Sequence, residues 1–133
     1  MTTTAAPIVV GVDQSVEAAG ALQTALRAGA ALGAPVHVIH AVGLLEEGGF
    51  RARPHLDDLV AAARAATEVD GVVVTTKAED GPPAEVLLRV AERVGAGIIV
   101  VGRRGMGAAP RPLGSVSEAV LDATTIPVLV VPA

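Results

Sequence analysis

The stretch IIVVGRRGMGAAPRPLGSVS, residues 98–117, decides the fold because it joins a short apolar run to a glycine-rich loop and a helix start. Ile98 to Val101 is apolar at every position, which is typical of a strand covered on both faces of a sheet. Gly102 to Gly114 holds four glycines and two prolines. We therefore predict a buried strand, a loop, and a short helix that starts after Gly114.

Four similar runs occur elsewhere in the chain, and Ala-rich stretches lie between them. The predicted strands are Ile8 to Val12, Val36 to Val42, Val72 to Thr76, Ile98 to Val101 and Val128 to Val131. Continuous apolar strands predict parallel pairing, and alternation of strand and helix predicts right-handed crossovers. The sequence thus predicts an α/β protein: one doubly wound domain over residues 1–133, with helices on both faces of a five-stranded sheet.

Three longer helices are predicted from apolar spacing and from proline and glycine signals at their ends. The first follows Ser15, ends at Gly33, and has its apolar positions at Ala18, Leu22, Ala25, Leu26, Gly29 and Leu32. The second opens at Pro54, with Leu56, Val60, Ala63 and Ala66 on its apolar side. The third begins at Pro82 and Pro83, runs through Val86, Val90 and Val94, and ends at Gly95.

The composition excludes several classes of protein. Of the 133 residues 51% are hydrophobic, yet Phe50 is the only aromatic one, so the core is expected to be aliphatic. With a net charge of -4 and no Trp or Tyr, the chain lacks the basic surface and stacking rings of most nucleic-acid binders. The absence of Cys excludes disulfides and thiol chemistry. No apolar run reaches the roughly 20 residues of a spanning helix, and residues 1–7 lack a basic signal region, so a cytoplasmic protein is expected.

The loop after the fourth strand has the residues of a phosphate cradle. Glycines let backbone N–H groups approach an anion, and a helix start directs further N–H groups at it. Arg103, Arg104 and Arg111 place three of the ten basic residues here, in an acidic chain. Alternatively, the glycines and prolines mark a surface turn. In either case Ser115 to Glu118 is expected to form a capping box.

The other motifs are less specific. Neither a G-x-x-x-x-G-K-[ST] nor a G-x-G-x-x-G after the first strand is present, which disfavours P-loop hydrolases and dinucleotide oxidoreductases. Asp13 ends the first strand, where it either caps the next helix with Ser15 or binds adenine or ribose. A phosphoacceptor role is rejected because the third strand is expected to end at Lys77, without an Asp, and the fifth without a Lys.

The histidines give little evidence of catalysis. His37 and His40 lie on the second predicted strand and His55 starts a helix, with no metal-ligand spacing and no Ser or Asp partner evident. His40 is interpreted as a hydrogen-bonded residue near the end of its strand. No nucleophile and base pair indicates a hydrolase.

Taken together, six segments of the chain resemble the universal stress protein family, UspA. They are residues 8–15 (IVVGVDQS), 38–42 (VIHAV), 81–84 (GPPA), 100–107 (VVGRRGMG), 114–117 (GSVS) and 127–131 (PVLVV). The resemblance implies the strand order 3-2-1-4-5, homodimers through the fifth strand and, in many members, bound ATP, alone or with Mg²⁺. It covers nearly the whole chain.

The resemblance also implies a set of binding residues. The family motif G-x2-G-x9-G-[ST] is matched by Gly102, Gly105, Gly114 and Ser115, of which the last pair would hold phosphates. Val12 and Asp13 fall where the family contacts adenine and ribose, and Ala41 where it contacts adenine. The cofactor-binding residues expected for ATP are Gly11, Val12, Asp13, Ala41, Val101, Gly102, Arg103, Gly105, Gly114, Ser115, Val116 and Ser117.

One departure from the motif leaves a second interpretation open. Met106 to Leu113 spans eight residues, one fewer than the motif has, and includes two prolines. The first interpretation is a dimeric stress-response regulator that binds ATP or a related adenine nucleotide. The alternative is a dimeric interaction module of the same fold without nucleotide. Slow ATP hydrolysis or autophosphorylation at Ser115 or Ser117 is the most catalysis expected.

Overall fold

The structure, a computed structural model, describes residues 5–13, 16–42, 56–103 and 113–132. Strands and helices alternate along it as predicted. The strands are β1 (Ile8–Gly11), β2 (Val36–Val42), β3 (Val74–Asp80), β4 (Ile98–Gly102) and β5 (Val128–Val131). The helices are α1 (Val16–Leu32), α2 (Leu56–Thr67), α3 (Pro83–Val94) and α4 (Ser115–Ala123).

All strand pairs are parallel, and the sheet has the order β3-β2-β1-β4-β5. Side chains of alternate strand residues point to opposite faces, so two apolar layers form. One layer packs α1 and α2 against Ile8 and Val10, and the other packs α3 and α4 against Val9 and Ile99. The expected doubly wound α/β fold and its strand order are therefore confirmed.

The buried apolar side chains of the described residues are all Val, Leu, Ile or Ala, which confirms the aliphatic core. Small β-branched side chains and Ala-rich helix faces let the three layers approach closely. Phe50 lies outside the described residues.

The helix ends largely follow the glycine and proline signals. Gly33 and Gly95 follow α1 and α3 with φ of 66° and 68°, in the left-handed region that glycine enters without strain. Two apolar assignments are wrong, because Leu32 is 53% exposed at the end of α1 and Ala66 is exposed on α2. Both lie in the last turn of a helix. Pro54 lies outside the described residues.

The third strand was predicted at the wrong place. It runs from Val74 to Asp80 rather than from Val72 to Thr76. Pairing with β2 sets these bounds, since the ladder extends from Val36 opposite Val74 to Val42 opposite Asp80. Because β3 is an edge strand, its burial alternates and it tolerates charged residues that a continuous apolar pattern misses.

The observed end of β3 changes the reason for excluding a phosphoacceptor site. An acidic residue, Asp80, does end β3, so the expectation that the strand ends at Lys77 without one is wrong. The strand order still excludes a phosphoacceptor site, because β2 lies between β3 and β1 and separates Asp80 from Asp13. β5 ends at Val131 without a lysine, as predicted.

Glu79 of β3 lies opposite Ala41 in the ladder and forms ion pairs with three basic side chains. Its carboxylate lies 3.0 Å from Lys77 Nζ, 3.2 Å from Arg89 and 2.8 Å from Arg93, and its side chain is only 12% exposed. The hydrogen bond from Arg93, followed by that from Lys77, lowers the pKa of Glu79 from 4.5 to about 2. The cluster fixes the outer strand to α3.

We expect Glu79→Gln to lower the free energy of unfolding by about 1 kcal/mol at pH 7, since the three cations are about half exposed and screened. A lowered pKa means that the contribution of the carboxylate is complete above pH 4.5 and is lost as the pH falls toward 2. The difference between wild type and variant should therefore vanish over that interval in urea denaturation. Lys77→Gln is the control, because Arg93 and Arg89 remain and most of the pH dependence should persist. An equal difference at pH 7 and pH 2.5 would contradict the assignment.

Candidate functional site

The topology creates a crevice at the carboxyl ends of β1 and β4. These strands are neighbours, yet the helix after β1 packs on one face of the sheet and the helix after β4 packs on the other. The two loops therefore diverge, and such a switch point is where open α/β sheets bind ligands. The register of Val10 opposite Val100 brings Gly11 and Val12 beside Val101 and Gly102.

The β1 side of the crevice is tied firmly to β2. The Val12 amide donates to the Ile39 carbonyl oxygen at 2.9 Å, and the Val12 carbonyl oxygen lies 3.1 Å from His40 Nδ1. This bond confirms His40 as a hydrogen-bonded residue near its strand end. Asp13 follows directly and is half-buried. The position of Asp13 at the end of β1 is thus set by backbone contacts on its N-terminal side.

A cavity of about 130 Å³ opens beside this end of β1, between α1 and α2. Its walls are mostly aliphatic, with Asp13 and Gln23 as polar members; the others include Val12, Ala18, Leu22 and Leu59. The volume is below the roughly 300–1,000 Å³ typical of small-molecule pockets. The cavity therefore offers room for part of a ligand, on the α1 side of the predicted site.

The β4 side is built around Arg103. Its backbone amide donates to the Val131 carbonyl oxygen at 2.8 Å, and its own carbonyl oxygen accepts from the Gly114 amide at 2.7 Å. The Ser117 hydroxyl donates to the Gly102 carbonyl oxygen at 2.6 Å, and Ser117 is 2% exposed. These bonds hold the start of α4 against the end of β4 and its neighbour β5.

The predicted capping box is wrong. α4 begins at Ser115, so its N-cap residue is Gly114, which has extended backbone and no side-chain hydrogen bond to the helix. A glycine has no side-chain oxygen with which to cap the amides of the first turn. Ser115 is exposed at the first helical position.

The side chain of Arg103 has a buried polar atom with an unmet hydrogen-bonding requirement among the described residues. Its Nε is buried and has no hydrogen-bond partner within the described ranges. A buried guanidinium N–H without an acceptor is costly, and the chemistry of the group calls for an anion. Together with the start of α4, it gives this end of β4 the donors of an anion site.

Most of the predicted residues thus come together along one edge of the sheet. Gly11, Val12 and Asp13 line the end of β1, and the others follow on neighbouring strands and on α4: Ala41, Val101, Gly102, Arg103, Gly114, Ser115, Val116 and Ser117. Ala41 is separated from β4 by β1 and packs in the layer of α3. Gly105, Arg104 and Arg111 lie outside the described residues.

Two features of the site were missed by sequence reasoning. Ser117 was predicted as a ligand contact, whereas its hydroxyl is engaged by the Gly102 carbonyl oxygen. The unpaired Nε of Arg103 has no sequence signal, because it depends on the local packing.

Among the described residues no group of three or more His, Asp or Glu is placed to hold a metal ion. No helix in the described ranges is long and apolar enough to cross a membrane.

The protein is a doubly wound α/β domain, and its candidate site lies at the topological switch point, at the carboxyl ends of β1 and β4. The chain belongs to the universal stress protein family, whose model matches residues 5–132. This confirms the family that the sequence segments resemble. No curated protein sequence matches the chain.

Solved structures of the same family superimpose on the chain. A universal stress protein solved in complex with cAMP is 25% identical, with a TM-score of 0.72 over 97% of this chain and 98% of that one. A universal stress protein from Archaeoglobus fulgidus DSM 4304 is 28% identical, with a TM-score of 0.71 over 96% of this chain and 44% of that one. A family member from Burkholderia pseudomallei is 27% identical, with a TM-score of 0.67 over 96% of both chains.

Proposed function

We propose that the protein is a stress-response regulator that binds ATP or a related adenine nucleotide at the switch point between β1 and β4. The observation that carries the proposal is the buried Nε of Arg103, which has no partner among the described residues and lies next to the glycine-capped start of α4. Both supply N–H donors to an anion such as phosphate. The relative solved with cAMP supports an adenine nucleotide as the ligand.

The nucleotide would span the two sides of the crevice. Phosphates would lie at Arg103 and the first amides of α4, where the donors are. The base and ribose would lie toward Val12, Asp13 and the cavity, whose lining residues are mostly aliphatic and include no aromatic ring. Mg²⁺ usually reaches such sites through the phosphates and one or two carboxylates, and Asp13 would offer a carboxylate at the end of β1.

Binding can be tested by the thermal and urea stability of the protein in ATP. A ligand at about 100 times its dissociation constant adds about 2.7 kcal/mol to the free energy of unfolding. Sodium tripolyphosphate at the same concentration is the control, since it shares the phosphates and lacks the base. A free energy of unfolding that saturating ATP leaves unchanged would favour the alternative function, a dimeric interaction module. That alternative is supported by the segment from Met106 to Leu113, one residue shorter than the family motif.

We also propose that the active form is a homodimer through β5. The two edges of the sheet differ, because β3 carries charges such as Lys77 and Glu79, whereas β5 reads VLVV without a charge. Charged residues protect an edge strand from pairing, and an apolar edge without them is a template for another strand. Leu129 on this edge is 39% exposed.

The dimer predicts that Leu129→Lys converts the protein to a monomer at micromolar concentration, as measured by light scattering. Burying a lysine in the interface costs its desolvation without a partner. Leu121→Lys, at a similarly exposed leucine on α4, is the control and should leave the mass unchanged. The proposal fails if the wild type has the mass of one chain, or if Leu129→Lys still has the mass of two.

A further inference from the structure

Ser117 is buried at the start of α4, and its hydroxyl is already bonded within the protein. Its side chain belongs to a residue that is 2% exposed, and Oγ donates to the Gly102 carbonyl oxygen at 2.6 Å. A hydroxyl has one hydrogen to donate, so this bond uses the only donor of the side chain. An ionised phosphate only accepts hydrogen bonds, and Ser117 has none left to offer it.

The bond from Ser117 is one of two that join the start of α4 to the end of β4. The other runs from the Gly114 amide to the Arg103 carbonyl oxygen at 2.7 Å. Gly114 is the N-cap residue and Ser117 is the third residue of the helix, so the two anchor points lie about one turn apart. Two such points fix the direction of a helix, whereas one point allows it to pivot.

These two bonds hold together the two sources of donors in the proposed anion site. One source is the buried Nε of Arg103, and the other is the first turn of α4 behind its glycine cap. Because the donors belong to different segments of the chain, their alignment depends on contacts between α4 and the end of β4. A site binds tightly when its groups are held in place before the ligand arrives.

We propose that Ser117 is a positioning residue of the anion site, whose hydroxyl aligns the start of α4 with Arg103 without touching the ligand. The proposal rests on the nucleotide-binding function above. Without the hydroxyl, both sources of donors remain in the protein, but α4 is held to the end of β4 by the Gly114 bond without the second anchor. The loss of Ser117 should therefore weaken binding through misalignment rather than through a lost contact with phosphate.

The test compares Ser117→Ala with Thr67→Ala by calorimetry with ATP and by urea denaturation. Thr67 is the matched control because its hydroxyl also donates to a backbone carbonyl oxygen, that of Ala63 at 2.8 Å, in the last turn of α2. Both variants should therefore lose stability. Only Ser117→Ala should bind ATP about 10-fold more weakly, the order expected for one hydrogen bond. Ser117→Thr keeps the hydroxyl and should regain most of the affinity.

Hydrogen exchange in the absence of ATP separates positioning from direct contact. If Ser117 aligns α4, the Gly114 amide should exchange faster in Ser117→Ala than in Thr67→Ala, because its local opening becomes easier. A hydroxyl that served only as a ligand would leave the two rates equal.

The outcomes separate this inference from the proposed function. Equal exchange of the Gly114 amide in the two variants, or a Ser117→Ala variant that binds ATP as tightly as the wild type, overturns the role of Ser117 while nucleotide binding stands. Phosphate found on Ser117 after incubation with ATP also contradicts it. A wild type that does not bind ATP overturns the proposed function and this inference with it.

Discussion

Gly29→Ala should lower the free energy of unfolding by about 1–3 kcal/mol, the usual cost of overpacking a core, although alanine is the better helix former by about 1 kcal/mol. A β-carbon at this buried position of α1 would lie 2.9 Å from the carbonyl oxygen of Ala34 and 2.9 Å from Val36 Cγ2. The Val36 methyl group has some freedom, but the Ala34 carbonyl belongs to the turn between α1 and β2. Its amide also bonds back to the Gly29 carbonyl oxygen at 3.0 Å. The clash therefore pushes the helix away from the sheet.

Gly20→Ala on the same helix is the matched control. Its β-carbon would have no neighbour closer than 3.8 Å, so only the helix propensity changes and the variant should gain about 0.5–1 kcal/mol. Urea denaturation of the two variants and the wild type measures both effects. If Gly29→Ala stabilises the protein as much as Gly20→Ala does, the close packing of α1 on the sheet is wrong.

Arg103→Gln should weaken ATP binding about 10- to 100-fold, the loss expected for a hydrogen bond to a charged group. The backbone bonds of Arg103 to Val131 and Gly114 do not involve its side chain and should persist. Because a buried N–H without an acceptor is costly, and Nε has no partner within the described chain, its removal should not lower the free energy of unfolding without nucleotide. The variant thus separates a role in binding from a role in folding.

Arg27→Gln, at an exposed arginine of α1, controls for the loss of one positive charge. Calorimetry with ATP should give this control the affinity of the wild type. If the two variants bind ATP equally well, Arg103 is not a phosphate ligand. If Arg103→Gln unfolds the protein, the side chain is structural.

Much of the fold could be predicted from the sequence because the central strands are uniformly apolar. Ile8 to Val10 and Ile99 to Val101 are buried, and continuous apolar runs of this length are typical of strands covered on both faces of a sheet. β3 could not be placed in this way. Its pattern VTTKAED alternates and carries charge, and its bounds are set by the length of β2 rather than by its own residues.

The sequence predicts which edge of the sheet carries the candidate site, but not its details. The carboxyl ends of the strands follow from the fold, so Asp13 and Gly102 were expected at the same edge. The engaged hydroxyl of Ser117, the glycine cap of α4 and the unpaired nitrogens of His40 and Arg103 depend on distances between segments far apart in the chain. No local pattern encodes such distances, so these features required the structure.

The nucleotide content of the native protein is the simplest test of adenine-nucleotide binding. Protein purified without added nucleotide should be denatured and its released small molecules identified by mass spectrometry, and the emptied protein should then be titrated with ATP in a calorimeter. We expect an adenine nucleotide in the released fraction or, if purification removes it, saturable binding of ATP. Protein that releases no nucleotide and shows no binding heat with ATP, in the presence and absence of Mg²⁺, would contradict it.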